Sequence, residues 1–229
     1  MKKSYKENTA MDAIQGNLFS GFGSCENEQT NSVEKEILSM PDAEVFFYRK
    51  FFNNHESDEL FKNLFNEIKW RQDKIKMYGK EINLPRQTAW YGDKEKSYKF
   101  SGIHLEPESW TPTLLQIKKK VEEIAKVKFN SVLLNLYRDG KDGISWHTDA
   151  EPELGQNPVI GSVSFGGTRR FVFRHKQDKS LKSEVELTNG SFLLMTGTTQ
   201  HFWQHQIPKT SKKVQPRINL TFRVINHCS

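Results

Sequence analysis

Cysteine is scarce in this chain. Only Cys25 and Cys228 occur among 229 residues, near opposite ends. That spacing excludes a disulfide framework and fits a reducing compartment. Long apolar runs are missing as well, so no segment is expected to span a membrane. The N-terminus is basic, but no apolar signal core follows it. No internal repeat is present. The expectation is a soluble monomer inside the cell, cytoplasmic in a bacterium or nuclear in a eukaryote.

What the chain has in excess is positive charge. Thirty-four Lys and Arg stand against 28 Asp and Glu, a net charge of +6, with a pI near 9.1. This balance suits a polyanionic partner. The length suits one domain plus extensions. Residues 1–42 are polar and read as a flexible tail. Residues 43–229 read as the domain. The segment Ala43–Tyr48 opens it as a strand. A helix capped by Ser57 follows, with a stripe of Leu60, Phe61, Leu64, Phe65 and Ile68. A second helix starts at Thr111-Pro112, with Leu115, Ile117, Val121 and Ile124 on its apolar face. From Asn130 to Val224 the pattern is a long run of strands. Helices followed by strands indicate an α+β domain.

Chemistry is concentrated in that run. His147 and Asp149 are two residues apart, so on a strand both side chains leave the same side. The turn Asp139-Gly140-Lys141-Asp142-Gly143 delivers them. Two imidazoles and a carboxylate fill one face of an iron(II) octahedron and leave the rest for co-substrate and oxygen. Two histidines could supply the third ligand, His201 or His205, and strand alternation puts both on one side. The segment Arg217-Ile218-Asn219-Leu220-Thr221-Phe222-Arg223 alternates strictly. Ile218, Leu220 and Phe222 form an apolar face, and Arg217, Asn219, Thr221 and Arg223 a polar one. That polar face is either solvated or lines a pocket. In a pocket its two guanidiniums suit a small dicarboxylate. Asn135 and Tyr137 share a face of another strand and offer hydrogen bonds to the same ligand.

Together Asn135-Leu136-Tyr137, His147-Thr148-Asp149, His205 and the Arg217–Arg223 strand resemble the AlkB family of iron(II)- and 2-oxoglutarate-dependent dioxygenases. Pro85–Gly92 and Ser162–Gly166 are similar to that family too. The resemblance covers about Tyr48 to Val224. It implies a double-stranded β-helix, or jelly roll, with a core at about 130–225. The N-terminal helices would pack outside, with a base-recognition lid at about 71–105. The family places its distal iron histidine about twelve residues before the closing strand's first arginine, which selects His205. His147, Asp149 and His205 would then bind iron(II). Asn135, Tyr137, Arg217, Asn219 and Arg223 would bind 2-oxoglutarate, with Arg223 on its distal carboxylate and Arg217 near the chelating end.

The implied reaction is the O2-dependent demethylation of N1-methyladenine and N3-methylcytosine in DNA. It would release formaldehyde, succinate and CO2 and so repair the base directly. RNA or protein hydroxylation, or a non-catalytic jelly-roll binding module, are the competing readings. The resemblance assigns the extruded base to Tyr98, Phe100 and Ser101, with Phe100 opposite His147. It makes Tyr78 a wedge in duplex DNA. Basic residues Arg169, Arg170, Arg174, Lys176, Lys212 and Lys213 suit phosphate contacts. Where relatives often carry an acid after the iron-binding Asp, this chain has Ala150, and Glu151 is expected to take its role. Gln15-Gly16-Asn17-Leu18-Phe19 resembles the peptides by which repair proteins dock on the sliding clamp; a segment folding back on the domain is the favoured reading.

Overall fold

Strict alternation of apolar and polar residues makes strands, and the strands here set the architecture. The computed structural model describes residues 34–77, 80–94, 98–100 and 103–226. Five strands and a helix come first: β1 (Lys35–Ile37), β2 (Glu44–Tyr48), α1 (Asn54–Glu67), β3 (Lys74–Met77), β4 (Lys80–Asn83) and β5 (Gln87–Gly92). Then come β6 (Tyr98–Phe100), β7 (Ile103–Leu105) and α2 (Pro112–Ala125). Next are β8 (Ser131–Tyr137), β9 (Ile144–His147), β10 (Ile160–Gly166), β11 (Arg169–His175), β12 (Lys182–Leu187) and β13 (Ser191–Thr196). A single helical turn, α3 (Thr199–Phe202), leads into β14 (Trp203–Ile207), and β15 (Arg217–Arg223) closes the set.

A seven-stranded sheet runs β1-β2-β13-β10-β15-β8-β5, and a four-stranded one runs β12-β11-β14-β9. Their pairings are antiparallel. β3–β4 and β6–β7 form separate two-stranded sheets. This is an antiparallel, sheet-rich α+β fold with few helices, consistent with a jelly roll.

The alternation of β15 decides where the core sits. Ile218, Leu220 and Phe222 are fully buried in a cluster with Leu60 and Leu64 of α1 and Leu114, Ile117 and Val121 of α2. A second cluster gathers Phe171, Phe173, Leu193, Met195, Trp203 and Ile207 from β11, β13 and β14. Burial of this kind contributes about 1.5–3 kcal/mol per large apolar side chain. The turn between β8 and β9 presses on the chain after β14. A Cβ on Gly143 would lie 2.7 Å from the Ile207 carbonyl oxygen, and one on Gly140 2.3 Å from that of Thr210. Glycine is required there because backbone approaches backbone.

Three local expectations change. Asn53, rather than Ser57, caps α1: its side chain accepts from Glu56 N at 2.9 Å, while Ser57 sits inside the helix and donates to Asn53 O. Asn competes as well as Ser for this position, and the helix begins four residues earlier than a cap at Ser57 would place it. Phe65 and Leu115 are about half exposed, and α2 buries Leu114 in place of Leu115. The third change concerns the tail. β1, inside residues 1–42, pairs with β2, and Leu38 and Met40 are buried in the second cluster. Few apolar residues in a polar stretch give too little periodicity to reveal this. The clamp-like segment Gln15–Phe19 lies outside the described residues.

Candidate metal and co-substrate site

β9 and β14 are neighbours, and their register sets His147 opposite His205. The imidazole centroids are 4.3 Å apart at 69°. Asp149 follows β9 and is almost fully buried. One ligand atom from each of His147, Asp149 and His205 lies within 4.8 Å of the others. The Nδ1 of His147 is 2.8 Å from the Ser145 carbonyl oxygen, which leaves Nε2 as its ligand atom. His205 Nε2 is 3.6 Å from Asp149 Oδ2. Phe171 stacks on the His205 ring at 5.0 Å.

Electrostatics keep His147 and Asp149 in ligating form. Burial, with His205 beside it, lowers the His147 pKa to about 4, so the ring is neutral at neutral pH. Burial opposes the charge on Asp149, but Arg223, His205 and His147 outweigh it and hold the carboxyl well below the usual carboxylate range. A neutral His147 imidazole and an ionised Asp149 carboxylate are the protonation states a divalent metal needs.

His201 takes another path. It lies on α3 rather than on a strand, is exposed, and has Nε2 2.9 Å from Asn157 Oδ1. The helical turn breaks the alternation that would have put both histidines on one side. The same turn supplies a residue that no motif announced. Gln200 is buried, and its Oε1 accepts from the Asp149 backbone N–H at 2.9 Å.

From the trio a cavity of about 660 Å³ runs between the sheets. The polar side of β15 lines it, so the solvated-face reading gives way to the pocket. Arg217 is 1% exposed and Asn219 7%. Arg217 Nη2 donates to Ser164 Oγ at 2.9 Å, and its guanidinium lies 5.1 Å from the Tyr137 ring centroid. Among the described residues its buried Nε and Nη1 have no hydrogen-bond partner. Burial pushes this guanidinium down to a pKa of about 10, so it stays charged. Asn219 Nδ2 donates to Ser162 Oγ at 2.8 Å, and Asn135 Oδ1 accepts from Arg86 Nε at 2.7 Å. Ser162, Ser164 and Arg86 were missed as individual residues, although the two serines alternate along β10.

The arginine beside the trio is Arg223, where Arg217 was expected. Arg223 donates to Asp149 and so stands at the metal end, while Arg217 stands six residues back along the strand. Alternation shows which side of a strand a residue takes, and it carries no information about which end meets the metal.

Among the expected nucleic-acid contacts, Arg169 is buried. It donates to the carbonyls of Asp139, Asp142 and Pro208 at 2.8–3.1 Å, tying the β8–β9 turn to the chain after β14. Its place at the start of a buried ladder, rather than its charge, decides this. Lys176 Nζ donates to the Gln200 carbonyl oxygen at 2.8 Å. Arg170 is exposed and 3.5 Å from Glu184. Arg174 sits over the Trp146 ring at 4.2 Å. Lys212 and Lys213 are exposed. Glu151 borders the cavity, and its buried Oε2 has no hydrogen-bond partner among the described residues. Tyr78 and Ser101 lie outside the described residues. Tyr98 and Phe100 are on β6, paired with Leu105 and Ile103, and their side chains are likewise outside the described set.

Comparison with known proteins agrees with this geometry. Residues 44–223 match the model of the 2OG-Fe(II) oxygenase superfamily. The chain is 42% identical over 184 residues to the alpha-ketoglutarate-dependent dioxygenase alkB homolog 3 of Bos taurus, covering 76% of this chain and 64% of that protein. It is 40% identical over 188 residues to the DNA oxidative demethylase ALKBH2 of Bos taurus, covering 78% and 68%. The chain thus spans just under two thirds of the length of the first of these relatives. A solved structure, "The structure of OsALKBH1", superposes with a TM-score of 0.61 at 17% identity, covering 83% of this chain and all of that one, a likeness of fold alone.

Proposed function

This chain belongs to the AlkB family of the 2OG-Fe(II) oxygenase superfamily, and we propose that it oxidatively removes alkyl groups from nucleic-acid bases, N1-methyladenine and N3-methylcytosine in DNA first among them. The products would be the repaired base, formaldehyde, succinate and CO2. The observation that carries the reading is that a His-Asp-His trio, buried at Asp149 and His205, and a buried Arg217 with two nitrogens unpartnered among the described residues border one cavity.

The family's cofactors fit the residues present. His147, Asp149 and His205 would hold iron(II), because their donor atoms are two imidazole nitrogens and one carboxylate oxygen. Arg217 would take a carboxylate of 2-oxoglutarate on its unpartnered nitrogens, since a buried cation with spare N–H groups is costly until an anion meets it. Tyr137 and Asn135, on the strand beside Arg217 and Asn219, would border the same co-substrate. When bound, the iron and 2-oxoglutarate supply the oxidising power for O2-dependent hydroxylation of the N-alkyl group.

The chain's own part is placement. Arg223 keeps Asp149 ionised, Gln200 fixes the Asp149 backbone, and the Ser145 carbonyl orients the His147 ring. Glu151, whose carboxylate oxygen is buried and unpartnered beside the cavity, would accept from the exocyclic amine of the base in place of the acid absent at Ala150. Tyr98, Phe100 and Ser101 would close over that base, Tyr78 would fill the gap in a duplex, and Lys212 and Lys213 would meet phosphate. Residues at about 71–105 would form the lid, and the jelly-roll core would lie at about 130–225.

The test supplies iron(II), 2-oxoglutarate and O2 with matched single- and double-stranded DNA and RNA carrying 1-methyladenine. Loss of the methyl mass, highest on DNA, is expected. No loss on any of the four substrates refutes the activity, and loss confined to RNA moves the substrate. Glu151→Gln should lower turnover of methyladenine without abolishing succinate formation.

A further inference from the structure

Trp146 borders the cavity and also lies against Arg174. Successive residues of a strand point to opposite sides, so Trp146 leaves β9 on the side opposite to His147. On that outer side β11 places Arg174 across from Gln204 of β14. The guanidinium lies 4.2 Å from the indole centroid, and Trp146 is only partly buried. With its amide turned so that oxygen meets donors, Gln204 accepts from Arg174 at 3.0 Å and from Lys179 at 3.3 Å. One amide oxygen therefore gathers two cations beside a partly exposed aromatic ring. β12 sets Glu184 and Glu186 on this face against Arg170, Arg174 and Lys182, and Lys179 adds to the cations, so positive charge is in excess there. β9 is the edge strand of its sheet, and Trp146 is the immediate neighbour of a residue at the metal trio.

We propose that this outer face is a stacking subsite for a nucleobase adjacent to the reacting one in a single strand. Trp146 is the platform, and Arg174 with Lys179 takes the phosphate between the two nucleotides. The inference rests on the reading of the protein as a nucleic-acid demethylase. A base stacked on the indole exchanges with the guanidinium, which is then released to the phosphate beside it. Stacking on an aromatic ring is indifferent to base identity because every base has a π-face. The subsite therefore favours strands whose bases are unpaired and can turn outward, and it selects for strandedness rather than sequence.

The experiment measures binding of the full chain to a short fluorescent thymidine strand and to the same phosphodiester backbone without bases. Wild type should prefer the base-bearing strand. Trp146→Ala and Trp146→Thr, the latter keeping strand propensity, should lose roughly tenfold or more of that preference, the equivalent of one base–aromatic stack. Trp146→Phe should keep most of it. Arg174→Gln should weaken both strands equally and flatten the salt dependence by about one phosphate, roughly 0.7 in the log–log slope. An unchanged preference in both Trp146→Ala and Trp146→Thr, or equal weakening on both strands, overturns the subsite. Demethylation by the wild type is read in parallel. Trp146-dependent binding without methyl loss sinks the proposed activity alone, and methyl loss with Trp146-independent binding sinks the subsite alone.

Discussion

Arg217 and Arg223 lie on the same face of the same strand, yet the fold gives them opposite surroundings. Arg223 meets a carboxylate of the chain itself, Asp149. Arg217 meets a hydroxyl and an aromatic ring, and keeps two buried nitrogens without partners. One charge is compensated internally and serves to keep a ligand ionised. The other is left for something that binds. A buried cation without an anion costs several kcal/mol in the free protein, so the difference between the two ends marks where an anionic co-substrate is expected.

The comparison can be broken most sharply at the metal end. Asp149→Ala should abolish turnover, because it removes a ligand and leaves Arg223 without its carboxylate. Full succinate formation by that variant would refute the iron assignment. At the other end, Arg217→Met should lower affinity for 2-oxoglutarate by roughly a hundredfold or more, the loss of a buried charge-assisted contact of about 3–5 kcal/mol. Because the unpaired charge is removed too, the melting temperature of the ligand-free protein should hold or rise. Weak co-substrate binding together with a large fall in stability would mean that Arg217 is structural.

A milder change separates positioning from ligation. Gln200→Ala strands the buried Asp149 N–H, a cost of about 1–3 kcal/mol. Metal affinity should drop by roughly tenfold while 2-oxoglutarate affinity stays close to wild type, as competition binding with each would show. Smaller still is a pH effect. His147 in the fold protonates only near pH 4, against an ordinary value of 6.5. Between those values the unfolded chain binds the extra proton. The metal-free protein should therefore lose stability as the pH falls from about 6.5 towards 4. His147→Gln should flatten that slope in thermal melts, and an unchanged slope would assign it elsewhere.

Much of this was legible in the one-dimensional pattern. The period of two in Arg217–Arg223 separates an apolar face from a polar one, and His147 and Asp149 obey the same rule. The family spacing selected His205 against His201, and α3 supplies the physical reason, since one helical turn ends the alternation between them. Gln200 carried no signal, because its partner is a backbone N–H 51 residues away. Arg169 carried a misleading one. A basic residue in a basic cluster reads as surface, but three carbonyls converge on it. β1 escaped notice because a short strand in a polar stretch has no period to detect.

The sequence by itself determined the donor types, the sides of each strand and the family, because these depend on residue identity and local spacing. Only the tertiary structure decided which arginine stands at the metal, which lysines and arginines are spent inside the protein, and what steadies Asp149. Those depend on strand direction and on contacts between residues far apart in the chain, and local periodicity is blind to both.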